Sequence, residues 1–198
     1  MPRKAQEAYT ITYAVLGFLA RWGATSGYDL KRRFDQGMGY AWEATHSQIY
    51  NELRRLKRYG WAEMETEEQD TRPDRKVYHI TERGQEALSV WLRQPVGLPR
   101  LRDELALKTM LGAFAPEKTL LQNLQAAALV HEQRLAELQQ ELSDHGDPGD
   151  VAAWEQPIES GKTRDPYIGL VVQFGIHFEA MYLDWLHESI TLLEANLK

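Results

Sequence analysis

Along the first 60 positions, apolar residues recur at helical spacings and glycines punctuate them. Ile11, Val15, Phe18 and Leu19 predict an amphipathic helix over Tyr9 to Trp22, ending at Gly23. Ser26 offers an N-cap for a short second helix, in which Tyr28, Leu30 and Phe34 are apolar and Lys31, Arg32 and Arg33 basic; Gly37 and Gly39 break it. The third helix has the strongest local signature. Thr45 is followed three residues later by Gln48, a capping box in which hydroxyl and amide each satisfy a free backbone donor. Its interior face is Ile49, Leu53 and Leu56, and Gly60 supplies the stop.

Beyond Gly60 the pattern changes to alternation. Ala62 and Met64 lie between Glu63 and Glu65, and Val77 to Ile80 is a second β-prone run, so a two-stranded ribbon flanks a polar loop containing Pro73. Thr81 caps a fourth helix with Leu88, Trp91 and Leu92 inward and Pro95 as terminator. Residues 95–100, PVGLPR, read as a linker. The rest is helical. Asp103 to Phe114 forms a short helix closed by Pro116, and Leu121, Leu124, Ala128, His131, Leu135, Leu138 and Leu142 then form a heptad seam that requires a partner helix. Asp165-Pro166 opens a last helix, where Tyr167, Val171, Phe174, Phe178, Met181 and Trp185 keep the same alternation, widened by Tyr182, Leu186, Leu193 and Leu197. A helix apolar over so much of its girth is expected to meet a second subunit through Val171, Phe174, Phe178, Met181 and Trp185.

Length and composition narrow the class. The 198 residues are 43% hydrophobic and 26% charged, which excludes disordered and low-complexity chains. There is no cysteine, so disulfide frameworks, thiolate metal sites and thiol nucleophiles are excluded. Uncharged runs such as Ala8 to Ala20 fall short of the roughly 18 residues that span a bilayer, and Glu7, Thr10 and Thr12 interrupt any signal-peptide core. A cytoplasmic protein without a membrane partner is expected. The net charge of −6 hides an asymmetry: residues 1–100 carry 16 cationic against 13 anionic side chains, residues 101–198 carry 7 against 16. A basic working domain joined to an acidic one follows.

Helix, helix, capped helix, ribbon, helix is the order of a winged helix-turn-helix, whose third helix reads DNA. Turning about 100° per residue from Ile49 puts Ser47, Asn51, Arg54 and Arg58 on the outer side, flanked by Gln48, Tyr50 and Arg55. Ser, Asn and Gln can bond base edges in the major groove, and the later arginines would meet phosphate. Four of the five residues from 54 to 58 are basic, and Arg72, Arg75 and Lys76 stand at the wing tip.

The segments YAVLGFLARWGATSGYDLKRRF, THSQIYNELRRLKRYGW and RPDRKVYHITERGQEAL resemble the winged-helix domain of PadR-type bacterial transcriptional regulators. LRDELALKTML and FGIHFEAMYLDWLHESITLLE resemble the helical C-terminal domain of that family's larger, virulence-activator-like branch. The resemblance implies a homodimeric repressor reading a pseudo-palindromic operator, with Tyr28, Tyr50, Asn51, Arg54, Arg75 and Lys76 close to DNA; ligand-sensing relatives add a small aromatic effector. Two features depart from the family: the first wing strand is acidic (Glu63, Glu65, Glu67, Glu68, Asp70), and the third helix opens THSQ. The fold expected is mainly α, with a winged helix-turn-helix over 1–94 bearing a two-stranded wing, a linker over 95–100, and an all-helical dimerisation domain over 101–198. The DNA-binding set is completed by Lys31 on the second helix.

Other motifs point elsewhere only weakly. Gly161-Lys162-Thr163 lacks the P-loop's first glycine, where Gln156 stands, and DHGDPGD lacks the ligand alternation of a calcium loop. His177, Asp184 and His187 do not have metal-ligand spacing, His131 reads as a register-setting residue on the seam, and no catalytic arrangement stands out. No enzyme, cofactor or metal is expected. Trp22, Trp42, Trp61, Trp91, Trp154 and Trp185 fit either ordinary core or a pocket for the aromatic effector. The alternative function is a helical interaction module whose basic helix binds an acidic partner protein.

Overall fold

The computed structural model describes residues 3–37, 44–68, 74–98, 101–145, 149 and 165–197. The chain divides into two units, with the change at Val96 and Gly97.

In the first unit, α1 (Arg3–Trp22) begins six residues ahead of the expected start, and α2 (Gly27–Gly37) and α3 (His46–Tyr59) follow. Gly60 ends α3 at φ 68°, a left-handed cap that glycine adopts without Cβ strain. β2 (Ala62–Glu67) and β3 (Arg75–Ile80) pair antiparallel in register from Ala62 opposite Ile80 to Glu67 opposite Arg75. The expected two-stranded wing gains a third strand. β1 (Thr25–Ser26) pairs with β3, giving the order β1-β3-β2, with Ser26 opposite Val77. Two residues are too few to show a period, which is why alternation did not reveal it. Ser26 still serves α2, since its Oγ accepts the Asp29 N–H at 3.2 Å.

Val15, Leu16, Leu19, Leu30, Phe34, Ile49, Leu53 and Leu56 form the centre of this unit. α4 (Glu82–Leu92) packs on it through Ala87, Leu88 and Trp91. The expected inward position of Leu92 is corrected: it is 67% exposed at the last turn, beyond reach of the core, and Ala87 fills the face instead. Gly84 lets α4 approach β2, because a Cβ there would stand 2.2 Å from the Trp61 carbonyl oxygen.

The second unit contains α5 (Glu104–Met110), a 3-10 turn at Gly112–Phe114, α6 (Glu117–His145) and α7 (Pro166–Asn196). The helix expected over Asp103 to Phe114 is thus divided. Asp103 caps α5 and Asp165 caps α7, each accepting backbone N–H groups of the first turn. The partner the α6 seam requires is α7 of the same chain. Leu120, Leu124 and Ala128 pack with Tyr182, Leu183 and Leu186. Tyr182 and Leu186 therefore lie on the intrachain face and do not extend the outer stripe.

A polar chain crosses this interface. His131 Nδ1 pairs with buried Glu179, the His131 ring lies 4.3 Å from that of Tyr182, and the Tyr182 hydroxyl donates to Asp103 Oδ2 at 2.6 Å. Burial, then the neighbouring Asp103 carboxylate, push the Tyr182 hydroxyl well above the usual phenol range. None of the described helices is long and apolar enough to cross a membrane.

Candidate nucleic-acid interface

α3 carries the candidates because its cap fixes where it starts and its core face fixes how it is turned. Thr45 Oγ1 accepts the Gln48 N–H at 3.2 Å and Gln48 Oε1 accepts the Thr45 N–H at 2.8 Å. Ile49, Leu53 and Leu56 are fully buried, which leaves Ser47, Gln48, Tyr50, Asn51, Arg54, Lys57 and Arg58 exposed together. Asn51, Arg54, Arg55, Lys57 and Arg58 line one open groove of about 690 Å³.

Hydrogen bonding along this face decides what each side chain still offers. Arg54 Nη2 donates to Asn51 Oδ1 at 2.6 Å, and its Nε reaches the Tyr50 carbonyl at 3.4 Å. With their oxygens engaged, Asn51 and Gln48 keep their amide N–H groups as donors, a pattern suited to acceptors on base edges. Tyr50 is kept against the start of α2 by the absence of a side chain at Gly27, where a Cβ would meet the ring at 2.6 Å. Tyr28 is 62% exposed at the first turn of α2. At Tyr78 of β3, burial chiefly raises the phenol above its ordinary range, with Tyr50 adding to the shift and Arg54 opposing it.

Of the described cations expected at DNA, Lys31, Arg55 and Arg75 form ion pairs with carboxylates of the protein. Lys31 pairs with Asp35. Arg55 Nη1 donates to Glu52 Oε2 at 3.1 Å and to Thr12 Oγ1 at 3.3 Å, while Thr12 donates to the same Glu52 oxygen at 2.6 Å. Buried Glu52 so ties α3 to α1. Arg75 pairs with Asp29 of α2 and lies 3.9 Å from Glu67 across the ribbon. The Ser26 hydroxyl first, with Arg75 and Arg32 adding to it, holds the Asp29 carboxyl below the usual carboxylate range, against an opposing desolvation that is second only to the Ser26 hydrogen bond. Lys76 is exposed. Arg72 lies outside the described residues, as do Trp42, Trp154 and the Gln156 to Thr163 segment.

Glu52 and Asp29 were not singled out from sequence. Their signals were local: Glu52 precedes Arg55 by three positions and repeats the inward spacing from Ile49, and Asp29 follows Ser26 by three. On α7 the expected dimer residues divide. Val171, Phe174 and Met181 are exposed, whereas Phe178 and Trp185 are half-buried against the intrachain core. His187 approaches Glu132 at 3.5 Å, and no metal-binding cluster occurs among the described residues.

The chain matches two family descriptions: the transcriptional regulator PadR-like family over residues 15–90, and the virulence activator alpha C-terminal domain over 101–194. It is 31% identical over 188 residues to the negative transcriptional regulator PadR of Bacillus subtilis, covering 94% of this chain and 98% of that protein. A Mycobacterium tuberculosis protein described as a probable transcriptional regulator is 46% identical over 77 residues, 39% of this chain and 41% of that one. The structure of Bacillus subtilis PadR in complex with operator DNA is similar at TM-score 0.78 and 28% identity, covering 93% of this chain and 99% of that chain. The p-coumaric acid complex of the same protein is similar at TM-score 0.69 and 27% identity, covering 94% and 97%.

Proposed function

This chain belongs to the PadR-like family of transcriptional regulators, and from that premise we propose that it represses transcription by binding a pseudo-palindromic operator as a homodimer in the cytoplasm, with release by a small aromatic effector. The operator and p-coumaric acid complexes of the Bacillus subtilis relative support the DNA and effector parts by analogy. Residues 1–94 are assigned to DNA binding, 95–100 to a linker and 101–198 to dimerisation.

The observation that carries this reading is the outer face of α3. A capped helix with Ser47, Gln48 and Asn51 near its N-terminal end and Arg54, Lys57 and Arg58 after them has base-edge chemistry where a helix enters a major groove and phosphate chemistry where it leaves. Tyr28, Tyr50, Lys31, Arg55 and Lys76 are further backbone-contact candidates, and the sequence alone adds Arg72.

Fluorescence anisotropy on DNA from upstream of the gene, against a shuffled duplex of equal length at several salt concentrations, tests it. Tighter binding upstream, with log K falling linearly in log salt, is expected. Equal affinity for both duplexes and for heparin would reject a sequence-specific regulator.

A further inference from the structure

The arginine at the loop end of the wing is already spent on a carboxylate. Arg75 is the first residue of β3, where the chain returns from the wing, and its guanidinium bonds Asp29 Oδ2 in the first turn of α2. Asp29 is itself oriented from three sides. The Ser26 hydroxyl donates to Oδ2 at 2.6 Å, the Asp29 N–H returns to that hydroxyl at 3.2 Å, and Arg32 lies 3.4 Å from Oδ1. Ser26 belongs to the short strand that pairs with Val77, two residues beyond Arg75. The ion pair therefore closes the same corner that the β1–β3 pairing opens, joining wing, strand and helix beside the exposed Tyr28.

We propose that Asp29 is a positioning residue for DNA binding: it latches Arg75, and with it the loop end of the β2–β3 ribbon, to the start of α2, so that Arg75 orients the wing and does not meet a phosphate. The latch rests on the DNA-binding reading above. It makes a prediction opposite in sign to simple electrostatics. An anion beside a DNA interface repels phosphate, so removing it should tighten binding if Arg75 were thereby freed for the backbone. If Asp29 positions the wing, removing it should weaken binding, and Arg75, already neutralised, should contribute no counterion release.

The experiment compares full-length wild type, Asp29→Asn, Arg75→Ala, the double variant and Asp29→Glu on the upstream duplex across a salt series. Each single neutralisation is expected to weaken binding by about fivefold, the scale of one partly exposed ion pair. The double variant should be no weaker than either single, Asp29→Glu should recover most of the affinity, and all salt slopes should agree. Tighter binding by Asp29→Asn, or a slope reduced by about 1 in Arg75→Ala, would overturn the proposal by making Arg75 a phosphate contact. Amide hydrogen exchange without DNA judges the latch separately: Ser26 and Val77 should exchange faster in both single variants, and unchanged exchange there overturns it. A wild-type protein that shows no duplex preference would defeat the DNA-binding reading and leave the exchange result to decide the latch.

Discussion

At the scale of single residues, the outer face of α3 works as pairs. The sequence places Arg54 near phosphate and Asn51 near base edges, yet Arg54 holds Asn51 Oδ1 at 2.6 Å. Arg54→Ala should lower the affinity for every duplex and reduce the salt slope by about 1. It should also loosen sequence preference, because it releases the amide that the guanidinium orients, whereas Asn51→Ala should loosen preference with the slope unchanged. Anisotropy on operator and shuffled DNA separates the two; an Arg54→Ala effect on preference alone would remove its phosphate role. Asp29 offers a second check through pH. Its carboxyl titrates lower in the fold than in the unfolded chain, so its stabilisation is present above the unfolded pKa and lost as pH falls through the folded one. Asp29→Asn should therefore melt below wild type at pH 7, and the two midpoints should converge as acid protonates Asp29. A gap that stayed constant from pH 7 to the acid limit would mean that the charge contributes nothing.

At the scale of elements, caps specify the ends and buried polar pairs specify the registers. Thr45 Oγ1 and Gln48 Oε1 are held within α3's own first turn, so the capping chemistry needs no tertiary partner and was legible in four residues. Thr45→Ala should cost about 1 kcal/mol in a urea melt. The α6 seam was equally legible as a period, but its partner was not, because a heptad states that a helix is needed without stating whose. Glu52 shows the other limit. Its spacing from Ile49 and Leu53 places it inward, while its charge argues outward, and the conflict is resolved by Thr12 of α1, 40 positions away. Glu179 repeats the situation on α7 with His131 as partner, and a sequence read alone cannot choose between them and solvent. Burying Glu179 without His131 leaves an uncompensated charge, so His131→Leu should cost on the order of 2 kcal/mol, reduced from a fully buried pair because the His131 side chain keeps 25% exposure. Replacing both by leucine should recover part of that loss. A double-mutant cycle in urea at fixed protein concentration measures the coupling, and strictly additive losses would show that the pair sets no register.

At the scale of the whole molecule, α7 has two distinct faces. One face, with Val172, Glu179, Tyr182, Leu183 and Leu186, is buried within the chain against α6. The other leaves Tyr167, Leu170, Val171, Phe174 and Met181 exposed along the same helix, with Phe174 at 61%, and it is this side that the proposed dimer would cover. Deleting α7 cannot test the dimer, because it would strip α6 of its intrachain partner and expose Leu124 and Leu138 to water. Charged substitutions on the outer stripe leave that core intact. Phe174→Glu with Met181→Glu should keep helical circular dichroism and shift the mass from light scattering from dimer to monomer. A mass unchanged at dimer would move the interface to another face. Two linked half-site readers gain affinity from an effective local concentration, commonly by a factor of about 10² to 10⁴. A stable monomer should therefore lose operator affinity by roughly that factor while its binding to a single half-site stays close to that of the wild type, and loss of half-site binding as well would show that the stripe supports the reading unit itself.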